Sequence, residues 1–166
     1  KRGGVFYSAD GLEVSNNKIE HIGDDSFKFI GVHDVLIENN IGARFVHPEP
    51  GAHLDFIQFQ GTDSSDIVVR GNVSLPQNNG SVQGIFFDDA HYTNVLIEQN
   101  IIYTGMIRGV SVSSGTNVVA RYNTVLDVNG VASKATKVMV DGSSYGNIQG
   151  SYSADAGVDS RGNLTL

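Results

Sequence analysis

The chain lacks cysteine, is poor in basic residues and contains no long apolar run. Without cysteine among its 166 residues, disulfide bonds and thiolate chemistry are excluded. Its 11 lysine and arginine residues are outnumbered by 18 acidic residues, giving a net charge of −7. Nucleic-acid binding needs clustered basic side chains, so nucleic acid is not an expected partner. No segment approaches the roughly 18 apolar residues of a membrane span, so no membrane partner is expected either.

A short signature recurs along the chain, with apolar residues at its first and third positions and an asparagine at its sixth. The asparagines lie 23, 32, 28 and 23 residues apart, and they are Asn17, Asn40, Asn72, Asn100 and, in a weaker copy, Asn123. Such spacings are typical of one supersecondary unit stacked on copies of itself. Stacked asparagines can link neighbouring units through their amides and tolerate the left-handed turn conformation. We therefore give these asparagines a structural role.

Each repeat also contains about three short apolar segments that alternate with a period of two, the pattern of strands with one buried face. The 20 glycines suit tight turns between such strands. The pattern predicts an all-β parallel solenoid, in which each strand pairs with its equivalent in the next turn, about 4.8 Å away. One inward column is expected to contain Val5, Phe27, Ile57, Ile85, Val110 and Val138.

The signature is interrupted by insertions at 44–53 and 75–82, and it fades in residues 142–166. Insertions in solenoids map to loops on one side, often the binding side. We predict a single domain over 1–166, with 142–166 as a degenerate rung or a loose tail. The first residues resemble the middle of a fold, which suggests a fragment of a longer chain. Open ends of the stack favour either such a longer chain or a homotrimer.

The repeated motifs LEVSNN, VLIENN, IVVRGN, VLIEQN and VVARYN, with HLDFIQFQG and RGVSVSSG, resemble the pectate-lyase-like right-handed parallel β-helix superfamily over residues 5–140. The resemblance implies a right-handed parallel β-helix of about six rungs. Similar proteins include polysaccharide lyases, mannuronan epimerases, glycoside hydrolases and phage tailspikes. It therefore implies an extracellular or secreted bacterial or phage protein, a lyase or epimerase acting on an acidic polysaccharide. The catalytic motifs of polygalacturonases and epimerases are not matched, so no catalytic residue is carried over.

Stacking predicts which side chains share the outer face of one sheet. Residues from four repeats are expected to line one groove, namely Lys28, Asp55, Gln58, Gln83, Asp88 and Arg108. In a lyase, a base removes the proton next to a uronate carboxylate while a cation neutralises that carboxylate. The candidate catalytic residues are Lys28, His53, Asp55 and Arg108. For Lys28 and Arg108, the alternative interpretation is a surface lysine and a carboxylate-paired arginine.

The remaining candidates would bind substrate or metal. Those expected to contact the glycan are Gln58, Gln83, Phe86, Asp88, His91 and Tyr92, with the two aromatic rings stacking on sugars. Asp25 and Asp55 fall on successive repeats, where close carboxylates raise one pKa or recruit a cation. Calcium is the metal expected there, and no organic cofactor is expected.

Two other functions stay open. A glycoside hydrolase could use Asp55 and Asp88 as its pair of carboxyl groups. A non-catalytic β-helix module of a phage tailspike, adhesin or structural protein needs none of this chemistry.

Overall fold

The computed structural model describes residues 3–46, 54–76, 82–127, 136–149 and 159–165, which form twenty strands and no helix. The strands lie in three parallel sheets. Each of the first six turns contributes one strand to each sheet in sequence order, and the last two described strands extend only the second and third sheets. We call one such turn a rung. The first sheet has six strands and the other two have seven each. The predicted all-β parallel solenoid is confirmed.

The strands of the first sheet are β1 (Gly4–Tyr7), β4 (Phe27–Ile30), β7 (Leu54–Gln60), β10 (Val82–Asp88), β13 (Arg108–Val112) and β16 (Lys137–Val140). Those of the second sheet are β2 (Asp10–Ser15), β5 (His33–Glu38), β8 (Ser64–Arg70), β11 (Tyr92–Glu98), β14 (Gly115–Arg121), β17 (Ser143–Tyr145) and β19 (Asp159–Arg161). Those of the third sheet are β3 (Lys18–Glu20), β6 (Ile41–Ala43), β9 (Val73–Ser74), β12 (Ile101–Thr104), β15 (Thr124–Asp127), β18 (Ile148–Gln149) and β20 (Leu164–Thr165). In the described part of 142–166, strands β17 to β20 continue the second and third sheets.

Aromatic rings stack along the inside of the first sheet. The ring centroids of Phe6 and Phe29 are 4.9 Å apart, those of Phe29 and Phe59 are 4.7 Å apart, and those of Phe59 and Phe87 are 4.2 Å apart. The planes of each pair lie within 19° of parallel. Because equivalent residues in successive rungs lie directly above one another, a phenylalanine repeated at one position becomes a continuous stack.

The first strand departs from the predicted column. Phe27, Ile57, Ile85, Val110 and Val138 do pair in register, as expected, and they are buried. Val5, however, pairs with Lys28 and is 49% exposed. A shift of one residue moves every side chain of a strand to the other face, and here it places Phe6 on the aromatic stack. Ring stacking therefore decides the register of β1, and the prediction for Val5 was wrong.

The predicted asparagine column is confirmed as a buried ladder. Asn72 Oδ1 accepts both the backbone N–H and the side-chain amide of Asn40, each at 3.0 Å. Asn100 Oδ1 accepts the same two groups from Asn72, and the pattern continues through Asn147 to Asn163. One correction concerns the turn itself, since the left-handed residue is the one before each asparagine. The ladder asparagine itself therefore has an ordinary backbone and uses its amide to join rungs.

Candidate functional site

The outer face of the first sheet brings together residues that lie far apart in sequence. Gln58 pairs with Lys28 in the rung before it and with Phe86 in the rung after it, while Gln83 pairs with Asp55. We call these five residues, with Arg108, the first-sheet face. The predicted convergence of these side chains on one wall is present in the structure, and their roles remain predictions.

Asp55 and Gln58 lie on either side of two consecutive core residues in β7. These two residues, Phe56 and Ile57, are both fully buried members of the hydrophobic core. Two consecutive inward residues interrupt the strict alternation of a strand, so Asp55 and Gln58 flank the buried pair on the outer face. In the sequence, this interruption is visible as two adjacent large apolar residues.

Glycines occupy the position equivalent to Phe56 in the next two rungs. A Cβ at Gly84 would lie 2.5 Å from the Ile102 side chain, and a Cβ at Gly109 would lie 2.1 Å from the Val125 side chain, both in the third sheet. Only glycine allows backbone to approach this closely. The glycines that follow Gln83 and Arg108 thus bring the first sheet against the third at these rungs.

Asp55 supplies the carboxyl group of the first-sheet face, and its pKa is strongly raised. Its side chain is 1% exposed, and neither carboxyl oxygen has a hydrogen-bond partner among the described residues. Burial, followed by the charge of Asp25, raises the pKa of Asp55 to about 8, although Lys28 and Arg108 act in the opposite direction. Asp55 therefore keeps its proton at neutral pH, where it can donate a hydrogen bond as well as accept one.

Two cations flank this carboxyl group. Lys28 Nζ lies 3.7 Å from Asp25 Oδ2, and the Lys28 side chain is 25% exposed. The Arg108 guanidinium lies over the Phe86 ring, 4.9 Å from its centroid, and is exposed. Both cations act electrostatically on Asp55. An anionic ligand on this face would therefore meet positive charge on both sides of a protonated acid.

Most of the face beneath these cations is covered, which the sequence did not predict. Gln58 and Phe86 are 7% and 6% exposed, and Gln83 is 1% exposed. The Oε1 atom of Gln58 has no hydrogen-bond partner among the described residues. A buried amide oxygen without a partner costs about 1–3 kcal/mol, so a donor from a ligand would be favoured there.

A small pocket lies beside Lys28. It has a volume of about 20 Å³ and is lined by Val5, Asp24, Asp25 and Lys28. This is room for about one water molecule. Val5 was not among the residues predicted for this face, because the predicted register of β1 turned its side chain inward.

Asp88 lies at the edge of the same face, where it pairs with Gln60. Its Oδ1 accepts a hydrogen bond from Ser113 Oγ at 3.0 Å. The charge of Asp88 contributes to the raised pKa of Asp55, so the two carboxyl groups lie within electrostatic range of each other. The sequence prediction of an Asp55–Asp88 pair stays a prediction.

Two candidates from the sequence, Tyr92 and His91, do not join this face. Tyr92 is fully buried, edge-on to Phe87 at 5.0 Å, and its hydroxyl donates to the Asp88 carbonyl at 2.7 Å. The prediction that it stacks on a sugar was wrong, because no face of its ring is free. His91 lies at the turn into the second sheet, with its ring nitrogens 2.9 Å from hydroxyl oxygens of Ser114 and Thr116. His53 lies outside the described residues.

The described residues offer little to a calcium ion. Asp25 Oδ1 already accepts the backbone N–H of Asp55 at 3.1 Å, and Asp25 Oδ2 faces the Lys28 ammonium. Calcium takes six to eight oxygen ligands. Within the described ranges, no group of three or more acidic or histidine side chains is placed to hold a metal. Calcium therefore stays a prediction.

The comparisons with known proteins address the fold. A family model described as a right handed beta helix region matches residues 2–125, which include Lys28, Asp55 and Arg108. No curated protein and no solved structure matches the chain. The described residues also contain no helix that is long and apolar enough to cross a membrane. The family match covers most of the chain and agrees with the three parallel sheets. The chain therefore belongs to the right-handed β-helix family.

Proposed function

We propose that this β-helix binds an acidic polysaccharide on its first-sheet face and acts on it as a lyase or epimerase. One arrangement supports the proposal above all others. Lys28 and Arg108 flank the Asp55 carboxyl group, which keeps its proton at neutral pH. Two cations and a neutral acid on one wall form a complementary site for the carboxylate of a uronate sugar.

The chemistry of both reactions begins with the same step. A base removes the proton on the carbon next to the uronate carboxylate, and negative charge then builds on the carboxylate oxygens. Hydrogen-bond donors and cations placed at those oxygens lower the barrier. A lyase then expels the glycosidic oxygen at the neighbouring carbon and leaves a carbon–carbon double bond. An epimerase instead returns a proton to the opposite face of the sugar ring.

The geometry favours separate roles for the candidate residues. Lys28 forms an ion pair with Asp25, and a charged ammonium cannot accept the proton. We therefore assign Lys28 and Arg108 to neutralising the substrate carboxylate, with Asp55 donating a hydrogen bond to it. His53 remains the candidate base that the sequence suggests.

The test uses alginate and pectate, each with and without added calcium. Ultraviolet absorbance of unsaturated uronate reports the lyase reaction, and proton NMR reports a changed ratio of epimers. We expect Arg108→Ala and Asp55→Ala to lower turnover about 100-fold, as the loss of a donor to developing charge does elsewhere. Asp55→Asn is expected to keep much of the activity, since its amide also donates a hydrogen bond.

The matched control is Lys18→Ala, which removes an exposed cation from the third sheet and should leave turnover unchanged. Circular dichroism melts check that each variant folds. The proposal fails if a panel of acidic glycans gives neither unsaturated product nor epimerised product, or if turnover survives Arg108→Ala.

A specific observation favours a second candidate, the non-catalytic β-helix module. Asp55 and Gln83 are each 1% exposed, and a substrate must reach Asp55 before Asp55 can act on it. A tailspike, adhesin or structural module needs no such access. Calorimetric binding of a glycan without any turnover would favour the module, whereas turnover on the same glycan would exclude it.

A further inference from the structure

The outer face of the second sheet forms an open trough that the proposed function does not use. The trough has a volume of about 470 Å³. Its lining includes three half-buried aliphatic residues from successive rungs, Val68, Leu96 and Val119. Leu36 extends this aliphatic column by one rung. A row of apolar side chains on an outer face is typical of an interaction surface.

A charged column borders the aliphatic one, and its sign alternates from rung to rung. Its members are Glu38, Arg70, Glu98 and Arg121. They form two ion pairs, Arg70 with Glu38 at 2.9 Å and Arg121 with Glu98 at 2.7 Å. The Arg70 side chain is still 46% exposed, and a guanidinium has five donors in all. The column can therefore form further ion pairs across an interface.

A third column lies on the opposite side of the trough and changes from acid to amide. It consists of Asp34, Asp66, Asn94 and Asn117, all with a left-handed backbone. Asn94 donates to Asp66 Oδ1 at 2.8 Å, and Asn117 donates to Asn94 Oδ1 at 2.9 Å. Acceptor-only carboxylates thus lie at one end of the column, and donor-bearing amides lie at the other.

When any of the three columns is placed against the same column of a second copy running in the opposite direction, each contact joins complementary residues. A two-fold axis parallel to the strands, placed between β8 and β11, would turn a second copy over so that its rungs run in the opposite direction. Arg70 would then face the partner's Glu98, and Glu38 would face the partner's Arg121. In the aliphatic column every leucine would face a valine, and in the polar column every aspartate would face an asparagine.

The parallel alternative is less favourable. With the two-fold axis along the solenoid, the polar column of one copy would face the charged column of the other. Asp34 would then lie against the partner's Glu38, where two carboxylates repel each other, and Asp66 would lie against the partner's Arg70, where opposite charges attract. These contacts offset each other, whereas all four charged contacts of the antiparallel packing join opposite signs. The alternation of charge therefore distinguishes the antiparallel orientation from the parallel one.

We propose that the trough is the interface of an antiparallel homodimer. Six rungs of this sheet, about 4.8 Å apart and up to seven residues wide, present roughly 600 Å² per copy, or about 1,200 Å² in total. Stable interfaces bury at least about 1,000 Å². The area is sufficient for a specific dimer that dissociates on dilution.

The test is sedimentation equilibrium over a concentration series, in which the unaltered chain is expected to reach twice the monomer mass. Arg70→Glu alone and Glu98→Arg alone each place like charges across the two-fold axis, and each should weaken dimerisation at least 10-fold. An equimolar mixture of these two variants should dimerise again, since every charged contact in the mixed pair joins opposite signs.

The mixture separates contacts between copies from contacts within one copy. Each variant also loses an ion pair within its own chain, and mixing cannot restore that pair. The double variant R70E/E98R gives a second check, because it keeps opposite charges across the axis while breaking both internal pairs. Lys18→Glu, on the third sheet, is the control and should dimerise normally. A monomer at all concentrations, a trimer, or a mixture as weak as its components would each overturn the proposal.

Discussion

Replacing Asn72 by alanine is expected to lower the free energy of unfolding by about 3–5 kcal/mol. Asn72 is fully buried in the middle of the asparagine ladder. Its Oδ1 accepts two hydrogen bonds from Asn40, and its amide donates to the Ile37 carbonyl and to Asn100 Oδ1, all at 3.0 Å. Alanine leaves several of these buried groups without partners, and each costs about 1–3 kcal/mol. Urea unfolding followed by circular dichroism measures the change.

Two further variants test whether this loss of stability comes from the hydrogen bonds of the asparagine ladder. Asn94→Ala removes an exposed asparagine that also links two rungs, and it should cost only about 1–2 kcal/mol, mainly because alanine is disfavoured in the left-handed backbone at this position. Asn72→Asp keeps the shape of the side chain but places a carboxylate against Asn100 Oδ1, so it should destabilise the fold at least as much as alanine. If Asn72→Ala costs no more than Asn94→Ala, the ladder does not hold the rungs together.

The ladder was predictable because its signal is local and repeated. A buried amide needs partners, and an asparagine at a fixed distance after two apolar residues recurs often enough to be recognised. The same repetition aligned the apolar strands correctly from Phe27 onward. In β1, Val5, Phe6 and Tyr7 are all large and apolar or aromatic, so the sequence permits either face of the strand to point inward. Only contact with Phe29 in the next rung resolves the choice.

The candidate site was predictable in position but not in burial. Period-two alternation places Gln58 on an outer face, yet it cannot show whether other parts of the chain cover that face. The raised pKa of Asp55 arises mainly from that cover, so the sequence suggested only the weaker cause, the nearby Asp25. For Tyr92 the predicted orientation of the side chain was itself wrong. Its residue type suggests sugar binding, and its place at the start of β11 points the ring into the core.

The reversal symmetry of the trough also needed the register. In the sequence, Glu38, Arg70, Glu98 and Arg121 each lie two residues before a ladder asparagine, so the repeat already assigns them to equivalent positions. Pairing places them in one column on the outer face, where opposite charges lie next to each other. The spatial relation between the charged, aliphatic and polar columns follows from the stacking of rungs.

The second large effect concerns how stability depends on pH. The usual pKa of an aspartate is 3.8, and burial raises that of Asp55 to about 8. Between these values the unfolded chain has released a proton that the folded chain keeps, so stability is expected to fall as pH rises from about 4 to about 8. A difference of about four pKa units corresponds to at most about 5 kcal/mol. Urea unfolding at a series of pH values measures the slope.

Asp55→Asn should remove this slope and make the protein more stable than the unaltered chain at pH 8, by about 3–5 kcal/mol. The asparagine has nearly the same shape and no charge to bury. Asp66→Asn is the control. Hydrogen bonds from Asn94 and Ser65 lower the pKa of Asp66, so its contribution is lost only as pH falls below about 4, outside this window. The difference between each variant and the unaltered chain isolates one group from the other acids.

The outcome also bears on the proposed chemistry. If stability stays constant from pH 5 to pH 8, and Asp55→Asn is the less stable protein at pH 8, then Asp55 is ionised in the folded state. Lys28 and Arg108 would then be neutralised by Asp55 itself. A negative carboxylate between them would repel a uronate, so the assignment of Asp55 as a hydrogen-bond donor to the glycan would fail. A falling slope that Asp55→Asn abolishes would instead supply the neutral donor that the proposed site requires.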